Sequence, residues 1–231
     1  MNDNNSWHSL YIVATPIGNL DDITLRALEV LKTMPYIFCE DTRVSNNLLS
    51  HFGIKSKLIS YHQHSGVGKI NDVIGILKKS DAALITDAGT PGISDPGNKL
   101  IDELLKASNG ACNVIPIPGP SAIVAALSIS GLPTDEFVFW GFIPHKKGRE
   151  TFINQVNESK ITVIFYESTH RILKTLEQLA EKLDDGRKMV VCRELTKKFE
   201  TIYRGSAKSV FKQLQDGINK GEFVVIVAGK R

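Results

Sequence analysis

Over the first 130 positions, apolar runs of four or five residues alternate with stretches in which apolar side chains recur every three or four. Short β-rich runs suit strands and 3.6-period stripes suit helices that bury one face, so the alternation predicts repeated βαβ units and a mainly parallel sheet. Strands are expected over 10–14, 36–39, 58–61, 82–86 and 113–117, with helices over 23–34, 44–52, 67–79, 96–107 and 121–130. The segment Gly131-Leu132-Pro133-Thr134-Asp135 ends the last of these helices with Gly and Pro, and the pattern then changes. Later strands are expected over 137–142, 161–166, 189–193, 200–203 and 223–227. Ile172, Leu173, Leu176, Leu179, Ala180 and Leu183 form a helical stripe, and 210–218 forms another. The short gap between 189–193 and 200–203 suits an antiparallel pair, so the second sheet is expected to be mixed. The fold class is therefore α/β, with a disordered leader 1–9, an N-terminal α/β domain 10–132 and a C-terminal α/β domain 133–231.

Composition narrows the class without naming it. With 231 residues, 42% hydrophobic, 28 basic and 25 acidic side chains, the chain matches a globular protein and not a disordered, collagenous or disulfide-stapled one. Its apolar runs fall short of the roughly 20 residues a membrane helix needs. The polar leader MNDNNSWHS lacks the apolar core of a signal peptide, which makes the cytoplasm the default location. Cys39, Cys112 and Cys192 are far apart and each lies in an apolar run, so they read as buried hydrophobes and no metal site is expected. Residues 1–130 carry 10 basic against 12 acidic side chains and residues 131–231 carry 18 against 13, which makes the second half the better polyanion surface.

In open α/β sheets ligands bind at the carboxyl ends of strands, and those positions are loaded here. The first strand runs into Thr15-Pro16-Ile17-Gly18-Asn19-Leu20, with Asp21 or Asp22 placed to cap the next helix; neither a dinucleotide fingerprint nor a P-loop is present. The second ends in Glu40-Asp41-Thr42-Arg43, readable as a solvated cap or as an ordered substrate-facing loop. The fourth ends in Thr86-Asp87-Ala88-Gly89-Thr90-Pro91-Gly92-Ile93-Ser94-Asp95-Pro96-Gly97. That loop is stiff and poor in side chains, its backbone bare for a ligand, with Asp95 and Pro96 expected to start the following helix. The fifth ends in Pro118-Gly119-Pro120-Ser121-Ala122, with Ser121 as N-cap, and the second domain adds Phe165-Tyr166-Glu167-Ser168-Thr169-His170-Arg171 and Arg193-Glu194-Leu195-Thr196-Lys197.

These motifs, in this order from residue 10 to residue 229, closely resemble the ribosomal-RNA-modifying members of the tetrapyrrole methylase family. The resemblance implies two α/β domains with a ligand cleft between them, usually as a homodimer. It also implies an S-adenosyl-L-methionine-dependent methyltransferase of the ribose 2′-hydroxyl of a cytidine in the decoding region of 16S rRNA, with the small ribosomal subunit as partner. Carried over, it makes Pro16, Asp87, Ala88, Gly89, Ile93, Asp95, Ser121, Ala122, Phe165, Tyr166 and Ala228 the candidate donor-site residues. Methyl transfer from a sulfonium is an in-line displacement in which alignment and water exclusion dominate, and it needs no metal. A hydroxyl nucleophile needs its proton removed. Lys197 is the first candidate to orient or deprotonate it, through a charge disfavoured by burial, and Glu167 and Arg193 are further catalytic candidates. Arg43, His170 and Arg171 are assigned to RNA contact. Family members commonly continue past the last strand with a helical segment, whereas this sequence runs to Gly229-Lys230-Arg231. Two other readings stay open, a methyltransferase of a small, tetrapyrrole-like acceptor and a non-catalytic RNA-binding relic.

Overall fold

A computed structural model describes residues 6–62 and 66–230. The chain forms two compact units, Met1–Ser121 and Ala122–Arg231.

In the first unit the strands β1 (Leu10–Val13), β2 (Tyr36–Cys39), β3 (Lys57–Ser60), β4 (Ala82–Leu84) and β5 (Val114–Ile117) lie in the order β3-β2-β4-β1-β5. Every pairing is parallel. The helices are α1 (Leu25–Thr33), α2 (Thr42–His51), α3 (Val67–Leu77) and α4 (Asn98–Ser108). Alternate strand residues feed two cores, as the pleat requires. Val13, Ile37, Cys39 and Ala83 pack with Ala27 and Leu31 of α1 and Leu49 of α2. Leu10, Phe38, Ala82 and Leu84 pack with Ile70 and Leu77 of α3 and with Leu100 and Leu104 of α4. Connections running one way along the sheet thus cover one face and those running back cover the other, as right-handed crossovers demand. Since β1 and β4 are neighbours whose chains leave toward opposite faces, the crevice at their carboxyl ends is the topological switch point.

Three local expectations are corrected. Residues 6–9 are ordered: the His8 N–H donates to the Leu77 carbonyl at 2.9 Å and the Ser9 N–H to Asp81 at 2.8 Å, while residues 1–5 lie outside the described residues. The cap of α1 is Thr24, whose hydroxyl accepts from the Ala27 N–H, while Asp21 and Asp22 sit in a 3-10 turn capped by Asn19. Helix α4 starts at Asn98, after Gly97, because the loop runs on past Asp95 and Pro96 before turning into the helix.

The second unit contains α5 (Ala122–Ser130), β6 (Phe137–Phe142), α6 (Arg149–Glu158), β7 (Thr162–Ser168), α7 (Ile172–Lys182), β8 (Lys188–Arg193), β9 (Thr201–Ser206), α8 (Ala207–Gln215) and β10 (Glu222–Val227). Its sheet runs β6-β7-β10-β8-β9. It is mixed: β6 and β7 are parallel and the other pairs antiparallel. Val163, Phe165, Val191 and Val225 on one face pack under α6, α7 and α8. The join between units falls before α5, not at residue 132, because α5 packs against β10 and the Arg204 guanidinium of β9 donates to its Ile129 carbonyl at 2.6 Å. Helix α6 had no sequence signal beyond Phe152, Ile153 and Val156, a stripe too short to stand out.

Candidate active site

The switch-point crevice of the first unit is stitched by backbone. Thr15 and Gly89 exchange N–H to carbonyl bonds of 2.9 and 3.0 Å, the buried Thr15 hydroxyl donates to the Thr86 carbonyl at 3.1 Å, and the Thr90 hydroxyl donates to the Pro120 carbonyl at 3.2 Å. These bonds draw together the turns after β1, β4 and β5. Gly89 has φ of +79°, and a Cβ there would lie 3.5 Å from Ile17 Cγ2 and 3.9 Å from the Pro120 carbonyl oxygen, so a side chain would project among these turns. Pro16 and Gly89 are buried, Asp87, Ala88 and Ile93 exposed, and Asp95, Ser121 and Ala122 half-buried.

The crevice is acidic. The Asp41 N–H donates to Asp87 at 3.2 Å, which ties the end of β2 to the β4 loop. Burial, then the negative charge of Glu40, pushes the Asp95 carboxyl up to about 6. The Glu40 carboxyl is raised by burial and by the charge of Asp87. Neighbouring carboxylates that raise Asp95 and Glu40 in this way make a site that favours a cation. Asp41 also caps α2 through the Arg43 N–H, and the Arg43 guanidinium folds back on it at 2.6 Å while staying 89% exposed. Both readings of this motif thus have a footing, a cap and a loop tied to the crevice.

The second-unit candidates separate. Phe165 is fully buried, its ring 5.2 Å from that of Phe152, so it packs the core instead of lining a ligand site. Tyr166 points to the opposite face, with its ring 5.0 Å from Phe139 and 5.3 Å from Phe142. Ala228 follows β10 and borders an open groove of about 980 Å³ shared with Leu132, Pro133, Thr162 and Arg187. It lies at the opposite end of the sheet from Glu167 and Arg171, since Val227 pairs with Val163 and Phe223 with Glu167.

The catalytic candidates carry structural work. Glu167 has no exposed side-chain surface: the Thr175 hydroxyl donates to it at 2.6 Å, the Ser168 N–H at 2.7 Å, Arg171 lies 3.0 Å away and Arg149 3.7 Å. That satisfies a buried carboxylate and leaves it no route to a substrate. Arg193, also buried, donates to the Lys220 carbonyl at 2.6 Å and the Phe199 carbonyl at 2.8 Å, fastening two loops. Arg171 likewise turns inward, donating to the Ile143 carbonyl at 2.9 Å, whereas His170 is exposed. Lys197 lies 2.8 Å from Glu222 and 3.0 Å from Glu194. Burial works against its charge, but the hydrogen bonds that it donates to Glu222 and Glu194 outweigh burial and the ammonium is held above its ordinary pKa, the reverse of what a neutral base requires. Its loop is strained, with Glu194 and the β-branched Thr196 at φ of 53° and 64°.

Sequence reasoning placed Thr15 in the first turn without giving it a role, and missed Arg149 and Arg187. Arg187 is buried and donates to the carbonyls of Ala228, Asn157, Val156 and Ser159, holding the backbone at Ala228. Nothing local marks these residues; their partners are remote in sequence. Among the described residues no cluster of His, Cys, Asp and Glu could hold a metal, and no helix is long and apolar enough to cross a membrane.

A parallel α/β unit with a glycine-rich, acidic switch-point crevice, followed by a unit with a mixed sheet, is the two-unit α/β arrangement that the resemblance to the methylases implies. The chain belongs to the tetrapyrrole (corrin/porphyrin) methylase family, whose profile matches residues 9–210. It is 47% identical over 225 residues to the ribosomal RNA small subunit methyltransferase I of Haemophilus influenzae, covering 96% of this chain and 78% of that protein. The protein of the same name from Synechocystis sp. is 45% identical over 224 residues, covering 95% and 78%, and that of Escherichia coli O157:H7 is 44% identical over 231 residues, covering 98% and 80%.

Proposed function

We propose that this methyltransferase uses S-adenosyl-L-methionine to methylate the ribose 2′-hydroxyl of a cytidine in the decoding region of 16S rRNA, acting on the small ribosomal subunit as a homodimer. The observation that carries the reading is the crevice where β1 meets β4. Its lack of a side chain at Gly89, where the turns after β1, β4 and β5 meet, and its Asp87, Asp95 and Glu40 carboxylates suit a ligand that bears both a sulfonium and an ammonium. The shared name of the relatives supports rRNA as the acceptor.

The donor, when bound, supplies an electrophilic methyl carbon. Pro16, Asp87 and Ala88 would hold it through backbone groups, Gly89 would leave room for it, Ile93 would cover it, and Asp95 and Asp87 would balance its charge. Reaction by in-line displacement asks the protein chiefly to align and to exclude water. Lys197 enters as a fixed cation that orients the acceptor and not as the base, because Glu194 and Glu222 keep it protonated. Arg43 and His170, exposed, serve as RNA contacts, and Arg171 acts from within by fixing the loop that carries His170.

The family description itself favours a second reading, a small tetrapyrrole-like acceptor. Salt separates the two: contact with a polyphosphate weakens steeply with salt, and contact with a small acceptor does not. The decisive experiment is tritiated methyl transfer to small ribosomal subunits from a strain lacking the modification, followed by nuclease mapping. Label in one cytidine of the decoding region is expected; label elsewhere, or none, overturns the proposal.

A further inference from the structure

Residues three apart in a regular strand point to opposite faces, yet Phe139 and Phe142 of β6 both lie against Tyr166. The cause is a register shift between Phe139 and Phe142 in the pairing with β7, with Gly141 at φ of 63°. This bulge turns Phe142 back onto the side of Phe139. The outcome is an aromatic cluster at the carboxyl end of an edge strand, with Phe142 still 53% exposed. Exposed His145, Lys146 and Lys147 follow directly in the chain. The neighbouring strand end brings exposed His170 to the same rim, because the Arg171 guanidinium donates to the Ile143 carbonyl at 2.9 Å. Glu150 is the acidic residue in the first turn of the helix that follows.

We propose that this end of β6 is a stacking site for one unpaired RNA base, received on the Phe142 ring, with Lys146, Lys147 and His170 holding the flanking phosphates. The proposal rests on the rRNA reading above and deepens it by naming the part of the unit that grips the acceptor. Exposed π-faces beside lysines suit single-stranded RNA, since every base offers a face for stacking and every linkage a charge. Duplex RNA, whose bases are stacked away, should not use the site.

The test uses the whole chain and a short single-stranded RNA of cytidines with one central 2-aminopurine, whose fluorescence falls when the base stacks. The wild type is expected to quench it. Phe142→Ala is expected to lose the quenching and to bind about 5- to 100-fold more weakly, and Phe142→Tyr to retain both. Phe137→Ala, at the far end of the same strand, should stay within about twofold of wild type. Lys146→Ala with Lys147→Ala should flatten the slope of log affinity against log salt by about 1.4. No quenching by the wild type, full quenching by Phe142→Ala, an equal loss in Phe137→Ala, or equally tight binding of duplex RNA would each overturn the site. These measurements need neither donor nor ribosome. Failure of methyl transfer to small subunits with stacking intact therefore counts against the rRNA reading, and normal transfer by Phe142→Ala counts against this one.

Discussion

Ionisation of Asp95 should govern both donor binding and stability, in opposite directions. Burial and the charge of Glu40 raise this carboxyl from an ordinary value of 3.8 to about 6. The folded state therefore holds the proton more tightly than the unfolded chain, so the favourable contribution is complete below 3.8 and disappears as pH rises through about 6. Asp95→Asn should accordingly be the more stable protein above pH 6, by about 1 kcal/mol once solvent screening of the half-buried group is allowed for, with the difference vanishing in melts near pH 4. A cationic donor wants the charged form, so donor affinity of the wild type, measured by calorimetry, should fall as pH drops through about 6 and that of Asp95→Asn should be weak throughout. An unchanged affinity in the variant would remove Asp95 from the site. Gly89→Leu should abolish donor binding, since its side chain would enter among Ile17 and Pro120, at a fold cost of about 1–2 kcal/mol for a left-handed φ. Lys197→Ala should leave donor affinity intact and slow methyl transfer. The glycine and proline of the β4 loop were readable because they restrict φ by their own chemistry. The role of Lys197 was not, because the Glu222 that keeps it charged comes from a strand 25 residues further on.

At the scale of elements, strands and helices follow the apolar periodicity closely wherever a face is buried, and β2 and β6 have the predicted bounds. What periodicity does not carry is which polar residue at a strand end points inward. Glu167 looks like a rim carboxylate in FYESTHR, but it sits on the helix-facing side of β7 and meets Thr175 of α7 and Arg149 of α6. It belongs to the joint between β7, α6 and α7. Glu167→Gln should therefore destabilise the protein by about 3–5 kcal/mol in urea unfolding, because it leaves Arg149 and Arg171 without a buried counter-charge. A catalytic Glu167 would give the reverse pattern, a stable protein with lost turnover and unaltered melting.

For the whole chain, the instructive difference lies at the join. Gly131 and Pro133 end a helix, and a helix end is a natural place to expect a domain to stop, but a stop signal does not say which sheet the helix covers. Helix α5 is apolar nearly all round, so no stripe assigns it a side; its contacts with β10 and its bond from Arg204 do. The consequence can be measured with two fragments. Residues 122–231 keep α5 and should fold cooperatively, with a sigmoidal urea transition followed by circular dichroism. Residues 133–231 lose the buried Ile123, Ala126 and Leu127. At about 1.5–3 kcal/mol for each large side chain, that removes some 4 kcal/mol, a large part of what a domain of this size holds in reserve. The shorter fragment should expose β10, bind a hydrophobic dye and aggregate. Equal stability of the two fragments would return the boundary to residue 132 and leave α5 a linker helix.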